Sequence, residues 1–448
     1  LNKQFELSTD NDHIVLPSFG PADPLVLRYR RAWAACVVML LVFTLARALR
    51  SPHNYIVAHF LLSYEDGGTR RALIGSLLSL AKDYGLPSWP IHHIAATIGG
   101  AAIIILVALF SVIWTRFLIR TSSKLNAALL TLAIATSPFV VMMAHLISYF
   151  DAWINIFTII SLVQIRRQRM LIPFLLCVIG TLMHEAYVAF ALPVLIYGLY
   201  RFGRTKSEAN RTSQSFRLNS TVLILLSTSI IGSMSLVNWS NEALAPQIRL
   251  EMTKTLLMHD MPWGFSINFS HEIFGTYERH FKKQFFSGLG LFRHQTVLWI
   301  LPMIWALLVE KVGQSLRPSW ERYLRILAIF SPMLLTILAC DHSRFAAQSL
   351  FCALLVFWID MECGDDSVSR LLTTTWGWFG QVIWNIMIPV SLLELEDENF
   401  PFQLRALVAT LFGIGTWFYL RKQKIFWSHR FRNVAGFFAS KRRWIENP

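Results

Sequence analysis

The chain has 448 residues, of which 54% are apolar and only 15% charged, with a formal net charge of +14. A soluble protein of this length needs a more polar surface, so lipid is the expected solvent. The basic excess lies mainly in short loops between apolar runs, and no nucleic-acid-binding motif accompanies it, so no nucleic-acid partner is expected.

Residues 1–31 are polar and basic and read as a cytoplasmic N-terminal segment. Residues 1–27 have no apolar core, so no cleavable signal peptide is expected and the first span targets the chain. Residues 32–420 read as one all-α polytopic membrane domain. A span needs roughly 20 apolar residues, and about twelve are expected, some of them short. They fall near 32–49, 94–114, 126–147, 151–165, 170–183, 186–201, 218–238, 295–310, 323–340, 345–361, 372–393 and 403–420. Residues 421–448 mix Arg and Lys with Phe and Trp, a tail suited to an anionic leaflet.

Orientation follows from the basic residues. Arg116, Arg120 and Lys124 follow the second span, and Arg166, Arg167 and Arg169 the fourth. Arg201, Arg204, Lys206, Arg211 and Arg217 follow the sixth, and Lys311, Arg317, Arg322 and Arg325 the eighth. Every second loop is basic, which puts both termini in the cytoplasm. The acidic stretch Glu362–Asp366 runs against this pattern. In the first outer loop, Leu73, Ile74, Leu77, Leu78 and Ala81 recur at helical spacing, so residues 69–82 are expected to form a helix lying in the interface.

Polar residues gather where the spans end on the non-cytoplasmic side. Glu65 and Asp66 precede the interfacial helix, and a carboxylate there is suited to accept a proton from a hydroxyl. Arg70 and Arg71 follow, with forks shaped for phosphate oxygens; alternatively they reach toward lipid phosphates. Asp151 opens a span, which the helix dipole alone would favour. His184 and Glu185 break two short spans, either as a hydrophilic turn or as groups facing a cavity. Asp341 and Arg344 are three residues apart and can pair on one helical turn. Five cysteines are scattered without metal-ligand or disulfide spacing, and no P-loop, HExxH, GxSxG or GxGxxG occurs.

This layout resembles the GT-C class of integral-membrane glycosyltransferases and the related EpsG-like and Wzy-like bacterial polysaccharide enzymes. The resemblance rests on Asp66 in the first outer loop before an amphipathic helix, on Phe150-Asp151 opening a later span, and on His184-Glu185 between short spans. It implies a bacterial inner-membrane enzyme with a polyprenyl-phosphate-linked sugar donor and a glycan or lipid acceptor. Asp66, with Glu65 beside it, would be the base. Asp151 would bind substrate or a divalent metal ion; Glu185 and Asp341 would orient their neighbours. Arg70, Arg71, His184 and Arg344 would hold phosphate. The competing reading is a transporter or flippase for lipid-linked sugars or other polar solutes; His184 alone would also suit a membrane O-acyltransferase.

Overall fold

A computed structural model describes residues 54–64, 71–85, 90–120, 124–204, 209–240, 319–335 and 342–363, with a few single positions elsewhere. Glu65, Asp66, Arg70 and Asp341 lie outside the described residues, as do the expected spans at 295–310 and 403–420 and the basic tail. Among the described residues there are twelve helices and no strand. They are α1 (Asn54–Ala58), α2 (Leu73–Asp83), α3 (Ile91–Arg120), α4 (Lys124–Ala135), α5 (Pro138–His145) and α6 (Asp151–Arg166). Then follow α7 (Leu171–Met183), α8 (Tyr187–Phe190), α9 (Leu192–Arg204), α10 (Ala209–Ser240), α11 (Ser319–Leu334) and α12 (His342–Glu362).

Three of these helices contain stretches long and apolar enough to cross a membrane: Ile91–Ile113, Phe216–Met234 and Arg344–Glu362. The expected span at 126–147 is two helices. Thr136 and Ser137 leave the helical path, and Pro138, which has no amide hydrogen to donate, starts α5. The expected span at 186–201 is likewise divided, into α8 and α9. Helix α7 has 13 residues, about 20 Å of rise, against the roughly 30 Å of a bilayer core. The amphipathic segment expected at 69–82 forms α2, at Leu73–Asp83. It exposes Leu77 and Leu80, is followed by the exposed Tyr84, and buries Gly75, whose Cβ would stand 1.9 Å from the carbonyl oxygen of Leu62. Only glycine allows α2 that close to the preceding loop.

Between Phe345 and Ile359 helix α12 carries only Gln348 and Ser349 among otherwise apolar residues, and a helix of that kind belongs inside a bundle. Phe345–Ile359 is buried along its length, packed by α5, α9 and α11. Phe139 of α5 stacks on Phe351 at 4.7 Å, and Phe202 of α9 meets Trp358 edge-on at 6.1 Å. Helices α7 and α10 pack outside this core and leave Leu171, Leu175, Leu218 and Leu225 exposed.

Helices α6 and α12 run parallel, linked by polar side chains at three levels. Asp151 meets Arg344, Asn155 exchanges amide hydrogen bonds with Gln348, and Arg166 reaches Glu362 at 2.7 Å. Glu362, the acid that ran against the loop-charge pattern, is thus a fully buried counter-ion. Close to it, Asp360 accepts from Tyr197 at 2.5 Å and pairs with Arg325 at 2.9 Å and Arg201 at 3.2 Å. Glu321 accepts from Arg201 at 2.7 Å, Arg204 at 3.1 Å and Tyr200 at 3.2 Å. Ionised groups this deep are costly unless paired, so this network clasps α9, α11 and α12 at one end of the bundle.

Candidate functional site

The second concentration of charge lies at the opposite end, where α6 and α12 begin. The turn leading into α6 is pressed onto α3. Ser148 adopts φ +78° and donates to the carbonyl of Ala95 at 2.6 Å. A Cβ on Gly99 would come within 2.2 Å of the Ser148 nitrogen, so only glycine permits this approach. The turn presents Tyr149, Phe150 and Asp151 to the interior, all of them buried. Asp151 is the first residue of α6 and Arg344 lies in the first turn of α12. Arg344 donates from Nε to one carboxylate oxygen of Asp151 at 2.5 Å and from Nη2 to the other at 2.6 Å. Its guanidinium carbon also lies 3.9 Å from the centre of the Tyr149 ring, a close cation–π contact.

Arg71 enters from the loop before α2. It holds φ +61°, a left-handed conformation that is uncommon for any residue but glycine, and it is 5% exposed. Its Nε donates to both carboxylate oxygens of Glu185 at 3.1 Å, and its Nη2 makes a further short contact with the same group. Its Nη1 reaches Nε2 of His59 at 2.7 Å and the Tyr149 hydroxyl at 3.5 Å. A guanidinium can only donate, so His59 accepts there and is neutral. Arg71 is therefore an interior ion pair and not a side chain reaching for lipid phosphate.

His184 joins the two pairs. It ends α7 in extended backbone, outside both neighbouring helices. Its Nδ1 accepts from the amide of Ala186 at 3.0 Å and lies 3.4 Å from Glu185; its Nε2 lies 3.3 Å from Nη2 of Arg344. Burial, and then the charge of Arg71, hold its pKa well below the usual histidine value; Glu185 opposes this, and Arg344 adds to it. A neutral imidazole accepts at one nitrogen only. Both ring nitrogens thus lie against donors, the Ala186 amide on one side and the Arg344 guanidinium on the other, and the tautomer decides which of them is accepted.

The structure therefore unites Arg71, Asp151, His184, Glu185 and Arg344, drawn from positions far apart in the chain. His59 and Tyr149 belong to the same cluster and were not singled out in the sequence. Their only local signals are a histidine within an apolar run and a tyrosine two residues before an acid. Among the described residues of the cluster, with both histidines neutral, two arginines balance two carboxylates. Glu185, with 19% of its side chain exposed, is the most accessible of the four charged groups. Both oxygens of Asp151 accept from Arg344, which makes this carboxylate an ion-pair partner in the present geometry. Among the described residues no three His, Cys, Asp or Glu side chains converge as a metal-ligand set.

An apolar pocket lies alongside, lined by Leu41, Leu45, Phe110, Phe139, Val140 and Met143 among others. Met143 accepts a weak hydrogen bond from Asn155, one turn below Asp151, at 3.7 Å. In comparisons with known proteins, the chain matches no family model, and it matches neither a characterised protein nor a solved structure.

Proposed function

We propose that this protein is a membrane glycosyltransferase acting on a polyprenyl-phosphate-linked sugar in cell-surface polysaccharide or glycolipid assembly. The observation that carries the reading is the buried convergence of Arg71, His184 and Arg344, with the Arg344 guanidinium over the Tyr149 ring. A phosphate oxygen is an acceptor of the right charge. The neighbouring apolar pocket suits the isoprenoid tail of such a donor. In this scheme the acceptor hydroxyl oxygen bonds to the anomeric carbon and its proton passes to Asp66. The bond from that carbon to the phosphate oxygen breaks, and the electron pair leaves on the phosphate, where His184 and Arg344 receive the charge. Glu185 and Asp151 hold the two arginines in place. The reading sets the site at the non-cytoplasmic face of a bacterial inner membrane, in a chain of about twelve spans with cytoplasmic termini.

The test is transfer from a radiolabelled lipid-linked donor in purified membranes. Asp66→Asn should lower turnover on the order of 100- to 10,000-fold, the usual loss of a positioned base. Arg344→Lys should retain more activity than Arg344→Ala. Unchanged turnover in both Asp66→Asn and Arg344→Ala would refute the proposal.

The polar seam between the parallel helices α6 and α12 favours a second reading, a carrier or flippase, because such seams can open and close. Reconstituted vesicles without acceptor separate the two. A flippase moves the intact lipid-linked sugar across the bilayer; a transferase leaves it in place until acceptor is added.

A further inference from the structure

The end of the bundle away from Arg344 buries its acids against Arg201 and Arg325 and carries further arginines on its surface. The side chains of Glu321, Asp360 and Glu362 are 0% exposed and bonded to arginines. Arg167, Arg169, Arg204 and Arg217 are exposed at the same end. Tyr200 ties this rim together, edge-on to Trp320 of α11 at 4.2 Å and to Phe216 of α10 at 5.7 Å. Arg204 follows one turn later and donates to the Tyr200 hydroxyl at 3.1 Å; Arg217 is the neighbour of Phe216. Trp320 is 48% exposed and Tyr323 70% exposed. Further along the same helices large apolar side chains are exposed: Leu218 and Leu225 on α10, among exposed Thr and Ser, and Leu327 and Leu334 on α11.

Basic, then aromatic, then apolar is the order of chemistry met on passing from lipid phosphate through glycerol to acyl chain. We propose that Arg204 and Arg217 hold the headgroup phosphate of an anionic phospholipid, with Trp320 and Tyr323 at its glycerol level. Arg204 is the pivot. Its guanidinium already bonds Glu321, with 58% of the side chain still exposed, so a headgroup shares it with the clasp between α9 and α11. The lipid thereby tightens or loosens that clasp without touching the Arg344 site. The proposal rests on the membrane reading alone and stands whether or not the chain transfers sugar.

Native mass spectrometry of the full-length protein in a neutral detergent tests this, with dioleoylphosphatidylglycerol titrated against dioleoylphosphatidylcholine. The wild type should prefer the anionic lipid, and the Arg204→Ala/Arg217→Ala variant should lose at least 10-fold of that preference, at about fivefold per arginine. If that variant fails to fold, Arg217→Glu, at an exposed position outside the clasp, should lower the preference in the same direction. Inorganic phosphate at equal concentration should not displace the lipid; displacement would mark a soluble-anion site and overturn the lipid assignment. Equal binding of both lipids by the wild type, or full preference in the variants, would also overturn it.

Discussion

Replacing Asp151 by Asn separates charge from shape at the heart of the site. The wild-type carboxylate takes two hydrogen bonds from Arg344, and the two side chains are 1% and 4% exposed. Asn keeps one acceptor and turns two donors toward a guanidinium. Removing one partner of a buried pair costs about 3–5 kcal/mol, because the other charge stays buried. The Tyr149 ring continues to face the cation, worth up to about 2 kcal/mol when desolvated, so the lower end of the range is expected. Resistance to unfolding by sodium dodecyl sulfate measures this. Asp151→Leu with Arg344→Met removes the whole pair and should recover most of the loss, since apolar replacements of buried pairs are often neutral or stabilising. If Arg344 receives phosphate charge, the double variant should nevertheless be inactive. A double variant that still turned over would reduce the pair to scaffold. A single variant within about 1 kcal/mol of the wild type would refute the burial argument itself.

Arg71→Lys keeps the charge but loses the fork on Glu185 and the contact with His59; a loss of about 1.5–3 kcal/mol is expected in the same unfolding assay. Gly99→Ala drives a methyl group into the Ser148 backbone and should cost about 1–3 kcal/mol, again read by unfolding. His184 has a folded pKa below its unfolded value of about 6.5, so the unfolded chain binds the extra proton first and stability falls as pH drops below that point. Melting curves from about pH 8 to about pH 5 should show this decline, and His184→Gln should flatten it. Cysteines placed at the exposed positions Tyr84 and Arg169 should label from opposite sides of the membrane in intact cells and vesicles; labelling from one side would overturn the topology.

Local patterns were legible in the sequence wherever a local cause acts. The start of α6 at Asp151, the break at His184-Glu185 and the helix after Arg71 follow from apolar periodicity and its interruption. The break at Ser137-Pro138 carried a signal too, a proline suited to a first helical turn, but the apolar run around it masked the signal. Charge pairing across the bundle was not legible. The sequence offered Arg344 the carboxylate of Asp341 three residues away, which lies outside the described residues. The bidentate contact with Asp151 spans 193 residues and exists only because two helices start at the same level. The clasp around Asp360 and Glu321 was missed for the same reason. Glu362 ran against the loop-charge pattern because its partner, Arg166, sits on another helix.

The seam between α6 and α12 constrains how these helices can move. Asp151 with Arg344 and Asn155 with Gln348 share one offset, 193 residues, so both rungs are in step. A half-turn slip of α12 would leave neither rung made. A full turn, about 5.4 Å, would bring Gln348 level with Asp151 and carry Arg344 past the start of α6. Axial sliding of α12 by either amount would therefore part Arg344 from Asp151, and a ligand that captured Arg344 would bear on that movement.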